Sequence, residues 1–431
     1  MTKRYDFFFG TITNDRGLVV TGKRGRYGLN KIYRVAGHAV GYRIRTEHQD
    51  RIYAGRPGKG FLLFSWRLPA HLVALARRNE EDESRNRTVV EGLPQDKPCV
   101  LYVMDCLFTT GGVERRLELQ FEWLLSRGIQ PILVVGTQGY APLESYPCLH
   151  LLQQAPNACR MLMEFVRLIK PIAVEFNVKS TDLLQVVDIE ALRMLTRVGV
   201  MIHNTIKVDQ GRLDALDYRV SVRKHEMPYS NLTFIPNVVR FPDVMPVYRL
   251  DAGKALYIGR IDREKLPTVK NFVTICRRYG LEYEIAGPVY KEEAVSEWVQ
   301  GQPKDVMLGT LDARAWLAEH GAEYAFIGGV GQVVLEAVAA NLPCLVATHG
   351  NNALRSAFVT KGNLASLLEW NCVLRGCPEA TVSGNVVEFF EARARSREDP
   401  QGLEQFRVRK ELVTLRSEEN IWEQYLEILR G

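Results

Sequence analysis

The pattern of hydrophobic and polar positions changes near residue 95, where a regular alternation of strands and helices begins. Residues 98–105 form a continuous apolar run of strand length, and residues 131–136 form a second one. Between them, residues 113–128 carry apolar side chains at helical spacing and end in a glycine, a common helix stop. This order predicts a β-α-β unit with parallel strands. Further apolar runs extend the series at 172–176, 198–203, 218–222 and 233–237.

A proline-rich stretch without periodicity, residues 240–252, separates this series from a second one. The second series starts with the apolar run 254–260 and again alternates strand and helix patterns. The chain is therefore predicted to hold two Rossmann-like, doubly wound α/β domains, 96–245 and 250–431, the second including two C-terminal helices. Ligands of such sheets bind outside the carboxyl ends of the strands, so two domains in tandem predict a cleft between them.

Residues 1–95 follow a different pattern, in which short apolar or alternating runs are punctuated by Gly, Asn and Asp. This pattern predicts a small, mostly β extension. The runs are YDFFF (5–9), GLVVTG (17–22), IYRVAG (32–37), AVGYRIRT (39–46), RIYAG (51–55) and GFLLFSW (60–66). A polar, helical stretch at 71–87 then forms a predicted linker, and a boundary is placed near residue 95.

The composition is that of an ordinary globular protein, with 46% hydrophobic and 25% charged residues. No apolar stretch reaches the length of a membrane span, and the N-terminus lacks the apolar core of a signal peptide. We therefore expect a cytoplasmic protein, or one peripheral on the inner face of the cell membrane. The eight cysteines show no CxxC and no paired Cys and His spacing, so free thiols and no metal site are expected.

Charge is concentrated at the N-terminus. Residues 1–78 hold sixteen Lys and Arg against four Asp and Glu, a net charge of +12, whereas the whole chain carries +6. Such asymmetry indicates a part that meets an anion, which can be a nucleic acid, an anionic lipid or a phosphorylated saccharide. The alternative is a solvated basic face without a partner.

The first candidate for chemistry is the double glycine Gly111-Gly112, which follows Thr109-Thr110 between a predicted strand and a predicted helix. Glycines allow the backbone to approach an anion, and the free N–H groups of a helix start attract it. A plain strand-to-helix turn is the structural alternative. The motif is not the GxGxxG of nicotinamide sites.

The second candidate is Gly259-Arg260, at the end of the first strand of the second series, with Lys265 five residues later. Arg presents a bidentate fork and Lys a compact charge, and the two together suit a diphosphate. The alternative is surface charge in a loop.

The third candidate joins Gly329 and Gly331 to Glu336, which stands within the apolar sequence VVLEAVAA. A helix start after glycines can hold a phosphate, and Glu336 is placed to accept ribose hydroxyls. The alternative is a buried Glu paired with a structural Arg. The fourth candidate is His203, at a predicted strand end, where a purely structural role is equally open.

These four elements, in this order, resemble the retaining glycosyltransferases of family 4, which have the GT-B fold. The likeness rests on GGVERRLELQFEWLLSRG, VMIHN, FIPNVV, YIGRIDREK and GQVVLEAVAANLPCLVA, and it covers about 97–370. One position departs from the family pattern, because Gly328 stands eight residues before Glu336, where the family usually has another Glu. Because of this departure, the contacts to the sugar ring of the substrate that donates the sugar are expected to differ from those of the family.

The resemblance implies transfer of a sugar from a nucleotide-sugar donor to a saccharide or lipid-linked saccharide acceptor, with retention and without a metal or resident cofactor. Arg260, Lys265 and His203 are the implied catalytic residues. Gly111, Gly112, Gly259, Gly329, Gly331 and Glu336 are the implied donor-binding residues. The implied acceptor is lipopolysaccharide or another cell-surface polysaccharide, which is made at the inner membrane face. Residues 1–78 are therefore expected to dock the protein on an anionic membrane surface.

Other functions stay open at this point. A GT-B sugar-nucleotide epimerase would require further carboxylates around the sugar. A non-catalytic protein that binds nucleic acid or another anion through residues 1–78 is the second alternative. No nucleic-acid motif is recognised, and therefore no nucleic-acid partner is expected. A pseudoenzyme is the third.

Overall fold

The computed structural model of the protein divides the chain into two units, Met1–Arg87 and Thr88–Gly431. The structure describes residues 29–431 with gaps at 36–37, 46–48, 55–60, 68–83, 95, 107–110, 138–139, 152–154, 178–180, 204–207, 225–231, 291, 349–354, 375–384, 397–399 and 417.

The first unit contains a four-stranded antiparallel sheet with its strands in chain order. The strands are β1 (Leu29–Val35), β2 (His38–Arg45), β3 (Gln49–Ala54) and β4 (Phe61–Arg67). Their sequences contain many β-branched or aromatic residues, which are common in strands. The predicted mostly β extension is confirmed, while the runs predicted at 5–9 and 17–22 lie outside the described residues.

A helical segment, 84–91, here α1, runs across the boundary between the two units. The second unit then forms a seven-stranded, all-parallel sheet. The strands are β5 (Cys99–Cys106), β6 (Gln130–Thr137), β7 (Cys148–His150), β8 (Ala173–Asn177), β9 (Arg197–Ile202), β10 (Tyr218–Ser221) and β11 (Thr233–Phe234). The helices are α2 (Gly112–Ser126), α3 (Ala155–Ile169), α4 (Thr181–Val186), α5 (Ile189–Arg193) and α6 (Gln210–Asp214). We call this part the first α/β domain.

The second α/β domain has a six-stranded sheet that is parallel except for its last pair. Its strands are β12 (Lys254–Ile258), β13 (Glu282–Ala286), β14 (Met307–Gly309), β15 (Tyr324–Gly329), β16 (Cys344–Thr348) and β17 (Arg355–Phe358). The helices that follow are α7 (Leu266–Arg278), α8 (Glu293–Gln300), α9 (Ala313–His320), α10 (Gln332–Ala339), α11 (Leu364–Glu369), α12 (Asn385–Arg395), α13 (Arg409–Leu415) and α14 (Glu418–Arg430).

The strand orders place the predicted loops at the ligand-binding edge of each sheet. In the first α/β domain, β5 lies between β6 and β8, so the direction of winding switches at β5, where α2 begins. In the second, β12 lies between β13 and β15, so the loops after β12 and β15 flank the switch point. Crevices at switch points are the usual ligand sites of such sheets. The predicted fold of two Rossmann-like domains is confirmed.

The last helix, α14, packs on the core of the first α/β domain although it ends the chain. Its Trp422 and Tyr425 are fully buried beside Tyr102 and Phe121. The Tyr425 hydroxyl donates to Glu175 Oε2 at 2.7 Å and lies 3.1 Å from the Tyr102 hydroxyl. A segment from the end of the chain therefore completes the first core. In the described part of the chain, no helix is long and apolar enough to cross a bilayer.

We expect Trp422→Ala to destabilise the second unit. The side chain is 0% exposed and the Arg116 guanidinium stacks over its ring at 5.1 Å, so truncation opens a cavity and removes a cation–π contact. A loss of about 3–5 kcal/mol is expected. Urea unfolding followed by far-ultraviolet circular dichroism measures it. Leu125→Ala, which removes a side chain that is 44% exposed on α2, is the control. A Trp422→Ala loss as small as the control's would contradict this packing.

Candidate functional site

Two helices, one from each α/β domain, begin against each other. Gly111 precedes α2 and Gly331 precedes α10, and neither start has a side-chain cap among the described residues. A β-carbon added at Gly112 would lie 3.8 Å from Cβ of Gln332. The first N–H groups of a helix have no partner within the helix and carry its positive dipole end. Two of the predicted glycine motifs are therefore brought together, whereas Thr109 and Thr110 lie outside the described residues.

Gly331 has a positive φ of 65°, which disfavours residues with a side chain. Its N–H donates to the Cys372 carbonyl at 3.1 Å. The Gly331 amide is therefore engaged by the protein itself in this structure, and its predicted contact with a phosphate stays a prediction. The N–H groups of Gln332 and Val333, the first two helical residues, have no partner within the helix.

Gly259 and Gly329 allow close packing at the switch point. A β-carbon on Gly329 would lie 3.0 Å from the Ile258 carbonyl oxygen and 2.8 Å from Val333. A β-carbon on Gly259 would lie 3.0 Å from the Tyr257 hydroxyl. These glycines bring the ends of β12 and β15 close together, which positions the loops that carry the charged side chains.

Arg260 and Lys265 lie in the loop after β12, as predicted, but their environments differ. Arg260 Nε is 2.7 Å from Asp262, and its side chain is 44% exposed. Asp262 also accepts from the Lys265 backbone N–H at 2.8 Å, which fixes the turn before α7. The Lys265 ammonium, by contrast, has no ion-pair partner among the described residues.

Burial lowers the pKa of Lys265, Arg260 and Arg223 lower it further, and Glu264 and Asp262 oppose them. Lys265 is thus a partly dehydrated cation next to two others, the arrangement in which an anion is bound strongly.

Arg223 belongs to the first α/β domain and is a residue that the sequence reasoning missed. It follows β10, and the next residue, Lys224, ties this strand end to the second domain. Lys224 N–H donates to the Glu369 carbonyl at 2.8 Å, and its ammonium lies 2.6 Å from the Glu369 carboxylate. Arg223 and Arg260 are both the second residue after a strand. The position just beyond a strand end that marks Arg260 as a candidate therefore marks Arg223 as well.

Glu336 is buried, with 6% of its side chain exposed, and pairs with an arginine of the opposite domain. Arg115 Nε donates to Glu336 Oε1 at 3.3 Å, and its other nitrogens lie 2.7 Å from Glu118 and 2.7 Å from Asp312. Burial raises the pKa of Glu336 to about 7, with Arg115 opposing the rise and Asp312 adding to it. The structural alternative foreseen for Glu336, a buried pair with Arg, is thus present in this structure.

Arg115 and Asp312 were not singled out from the sequence. Arg115 lies within the quoted helix motif, but its partners Asp312 and Glu336 are 197 and 221 residues away. Asp312 carries the local signal of a helix cap, and its side chain does accept from Ala315 N–H at 3.0 Å. The local sequence pattern does not predict that the side chains of Arg115, Asp312 and Glu336 lie in contact.

His203 follows β9 directly and is buried, with 5% exposure. Its Nε2 lies 3.0 Å from Asn177 Oδ1, at the end of the neighbouring strand β8. Because an amide oxygen only accepts, Nε2 is the donor here. His203 is thus oriented by the first domain itself, and the adjacent Asn204 lies outside the described residues.

Gly328, where the resemblance leads one to expect another Glu, lies inside β15 rather than in a loop. A β-carbon there would be 2.5 Å from the ring of Phe272, so no side chain fits without moving that ring. Among the described residues, no cluster of three or more His, Cys, Asp or Glu is arranged to hold a metal ion.

No protein-family model matches the sequence, and no curated protein matches it. Solved structures share its fold. An alpha-glucosyltransferase in complex with UDP and a 13-mer DNA containing a HMU base is 11% identical, with a TM-score of 0.51 over 78% of this chain and 100% of that chain. An alpha-glucosyltransferase in complex with UDP-glucose and DNA containing an abasic site is also 11% identical, with a TM-score of 0.51 over 78% and 99%.

A lipopolysaccharide outer core galactosyltransferase, WaaB, in its apo form is 14% identical, with a TM-score of 0.42 over 57% of this chain and 79% of that chain. At such identities the likeness to the two alpha-glucosyltransferase structures concerns the fold, two facing α/β domains.

We expect Glu336→Gln to change how stability depends on pH. The folded protein holds the Glu336 proton more tightly than the unfolded chain, so this group favours folding at low pH. That contribution is lost as the pH rises from about 4.5 to about 7. The difference amounts to roughly 3 kcal/mol over this window.

The melting temperature of Glu336→Gln relative to wild type should therefore rise between these pH values and then level off. Burial raises the pKa of Glu175 to about 7 as well, so the pH dependence of wild type alone reports both groups. The difference in melting temperature between Glu336→Gln and wild type isolates Glu336. Glu297→Gln, on the exposed face of α8, is the control. A parallel pH dependence in wild type and Glu336→Gln would contradict the raised pKa.

Proposed function

We propose that the protein is a glycosyltransferase that takes its sugar from a nucleotide-sugar donor. The observation that carries this proposal is the meeting of two uncapped helix starts, α2 and α10, at the ligand-binding edges of two parallel sheets. Lys265, which lacks an ion-pair partner among the described residues, lies at the same edge of the second sheet. Converging N–H groups and a dehydrated cation are what a diphosphate requires.

The fold likeness supports the same conclusion. The alpha-glucosyltransferases that share this fold are complexes with UDP and with UDP-glucose. A fold is compatible with many functions, so the charged groups support the proposal more strongly than the likeness does. The resemblance to family 4 adds retention of the anomeric configuration and a saccharide or lipid-linked saccharide acceptor to the proposal.

The reaction breaks the bond between the sugar anomeric carbon and the diphosphate and forms one to the acceptor oxygen. Negative charge develops on the leaving phosphate, and the acceptor hydroxyl loses its proton, which that phosphate takes up on the same face. Lys265, Arg260 and the N–H groups of Gln332 and Val333 are proposed to stabilise this charge where it develops. No metal ion or resident cofactor has a role in this proposal.

The other groups are proposed to position the substrates. Glu336 accepts hydrogen bonds from the ribose hydroxyls of the donor. His203, held by Asn177, orients the donor or the acceptor rather than acting as the base. The Gly111-Gly112 loop faces the donor phosphates from the first domain.

We expect Lys265→Ala and Arg260→Ala to weaken donor binding and to slow donor hydrolysis. Thermal-shift assays with UDP-glucose, UDP-galactose, UDP-N-acetylglucosamine, GDP-mannose and ADP-glucose identify the donor, since a ligand at a hundred times its Kd stabilises by about 2.7 kcal/mol. Removing one charge-stabilising group should slow hydrolysis of that donor about a hundredfold.

Arg263→Ala and Lys270→Ala are matched controls for this experiment. Both remove an exposed cation from the same segment, Arg263 from the loop and Lys270 from α7. They should bind and hydrolyse the donor like wild type. If all four variants behave alike, or if no nucleotide sugar in the panel stabilises wild type, the proposal is wrong.

The basic N-terminal region is proposed to dock the enzyme on an anionic membrane surface, where lipid-linked acceptors are found. Residues 1–78 carry +12, and each Lys or Arg near such a surface contributes roughly 1 kcal/mol. Because screening acts over about 8 Å at physiological ionic strength, the binding should be reversible and salt-sensitive.

Co-sedimentation of the full chain with vesicles tests this docking. The protein should pellet with phosphatidylserine vesicles, stay in solution with phosphatidylcholine vesicles, and be released by salt. A variant with Lys23, Arg24 and Arg26 changed to Glu should bind less. Equal binding by this variant, or retention on duplex DNA in preference to vesicles, would contradict a membrane surface as the partner.

A further inference from the structure

Arg115 connects the two α/β domains through three carboxylates on three different elements. It lies in the first turn of α2, and its side chain is only 11% exposed. Its guanidinium contacts Glu118 on α2, Asp312 at the start of α9 and Glu336 on α10. Two of these three partners belong to the second domain, so the contact exists only in the arrangement of the domains seen here.

The Glu336 carboxyl is held in a surrounding that favours its neutral form. Its charged neighbours are Arg115 and Glu118 from α2, with Asp312 and Arg314 from the start of α9, and Tyr140 lies close by through Glu118. Burial and Asp312 favour protonation, whereas Arg115 and Arg314 oppose it. Arg115 is thus the group in direct contact that favours the ionised form of Glu336.

Ionisation matters for the role given to Glu336. A carboxylate accepts hydrogen bonds on both oxygens, whereas a protonated carboxyl turns one of them into a donor. Arg115 contacts Oε1, and Oε2 has no hydrogen-bond partner in the part of the chain that the structure describes. Two neighbouring ribose hydroxyls can both donate to an ionised Glu336, whereas a neutral carboxyl offers them one oxygen that must itself donate.

We propose that Arg115 is a positioning residue through which the first domain makes the ribose-binding carboxylate of the second domain competent. This inference rests on the proposed function. Donor affinity then depends on the approach of the two α/β domains. Their approach brings the Arg115 guanidinium to Glu336 and so favours its ionised form. Coupling of donor binding to domain closure then arises from one side chain rather than from the protein as a whole.

A pH series of donor binding tests the inference, with UDP-glucose as the first probe and the other members of the donor panel as alternatives. The phosphates of a nucleotide sugar are diesters, so the ligand itself does not titrate between about pH 5.5 and about pH 8.5. Calorimetry on wild type should show affinity that rises with pH through a midpoint near 7, since the ionised form binds. Glu336→Gln should bind weakly at every pH and show no such midpoint.

Removing a cation next to Glu336 and removing an anion next to it should move the midpoint of the pH dependence in opposite directions. Arg115→Gln should raise it by about one unit or more, so that binding is about fivefold weaker or more at pH 7 and recovers at higher pH. Asp312→Asn should lower it, and asparagine retains the cap of α9. Arg115→Lys should restore part of the shift and provides the measurement if Arg115→Gln does not fold. Arg193→Gln, which breaks an exposed pair with Asp217, is the control.

The outcomes separate the two proposals. An unchanged midpoint in Arg115→Gln and Arg115→Lys, with binding retained or uniformly weakened at all pH values, would overturn the role of Arg115 and leave the proposed function intact. Absence of binding by every nucleotide sugar at every pH would overturn both. A purely structural ion pair lowers stability but does not move the midpoint, so recovery of Arg115→Gln at high pH supports the inference directly.

Discussion

Two helices point their positive ends at one interface, and the charges around that interface have to compensate for their repulsion. Each helix start carries about half an elementary charge, because its first N–H groups lack partners within the helix. Glu114 is buried in the first turn of α2 and folds back against Gly111, where a β-carbon would meet its carboxylate. Glu336 lies one turn into α10, with Arg115 between it and the other carboxylates. The docking of the two domains therefore depends on buried carboxylates at these helix starts.

One helix, α2, organises both the interface and the connection between the domains. Successive residues on a helix point about 100° apart, and Arg115 and Arg116 accordingly serve different partners. Arg115 reaches the second domain, whereas Arg116 is fully buried in the first. Arg116 donates to the Pro236 carbonyl at 2.8 Å and to Asn237 Oδ1 at 3.2 Å, which fixes the chain where it leaves the first sheet. Asn237 then donates to Asn371 Oδ1 at 2.8 Å in the second domain.

The sequence predicts the elements well and their long-range contacts poorly, for a physical reason. Continuous apolar runs and glycine-terminated amphipathic segments are local patterns, and they identified both parallel sheets and the glycine motifs at their edges. The pair of Arg115 and Glu336 depends on residues 221 positions apart, which only the docking of two domains brings together. The engagement of the Gly331 amide by Cys372 has the same origin, since it follows from tertiary packing. Local patterns therefore locate a site without specifying which of its donors stay open.

The packing around Gly328 constrains where a donor sugar can be recognised. Strand β15 ends at Gly329 and α10 begins at Gln332, so two residues connect them and no loop extends over the switch point. Gly328 itself faces the ring of Phe272, and a carboxylate at this position would have to displace a buried aromatic side chain. Core packing therefore occupies position 328, where the sequence resemblance leads one to expect a Glu. Under the proposed function, selection among sugars falls to other edges of the cleft. In the described part of the chain, the ends of β8 and β9, with Asn177 and His203, present polar groups at the edge of the first sheet.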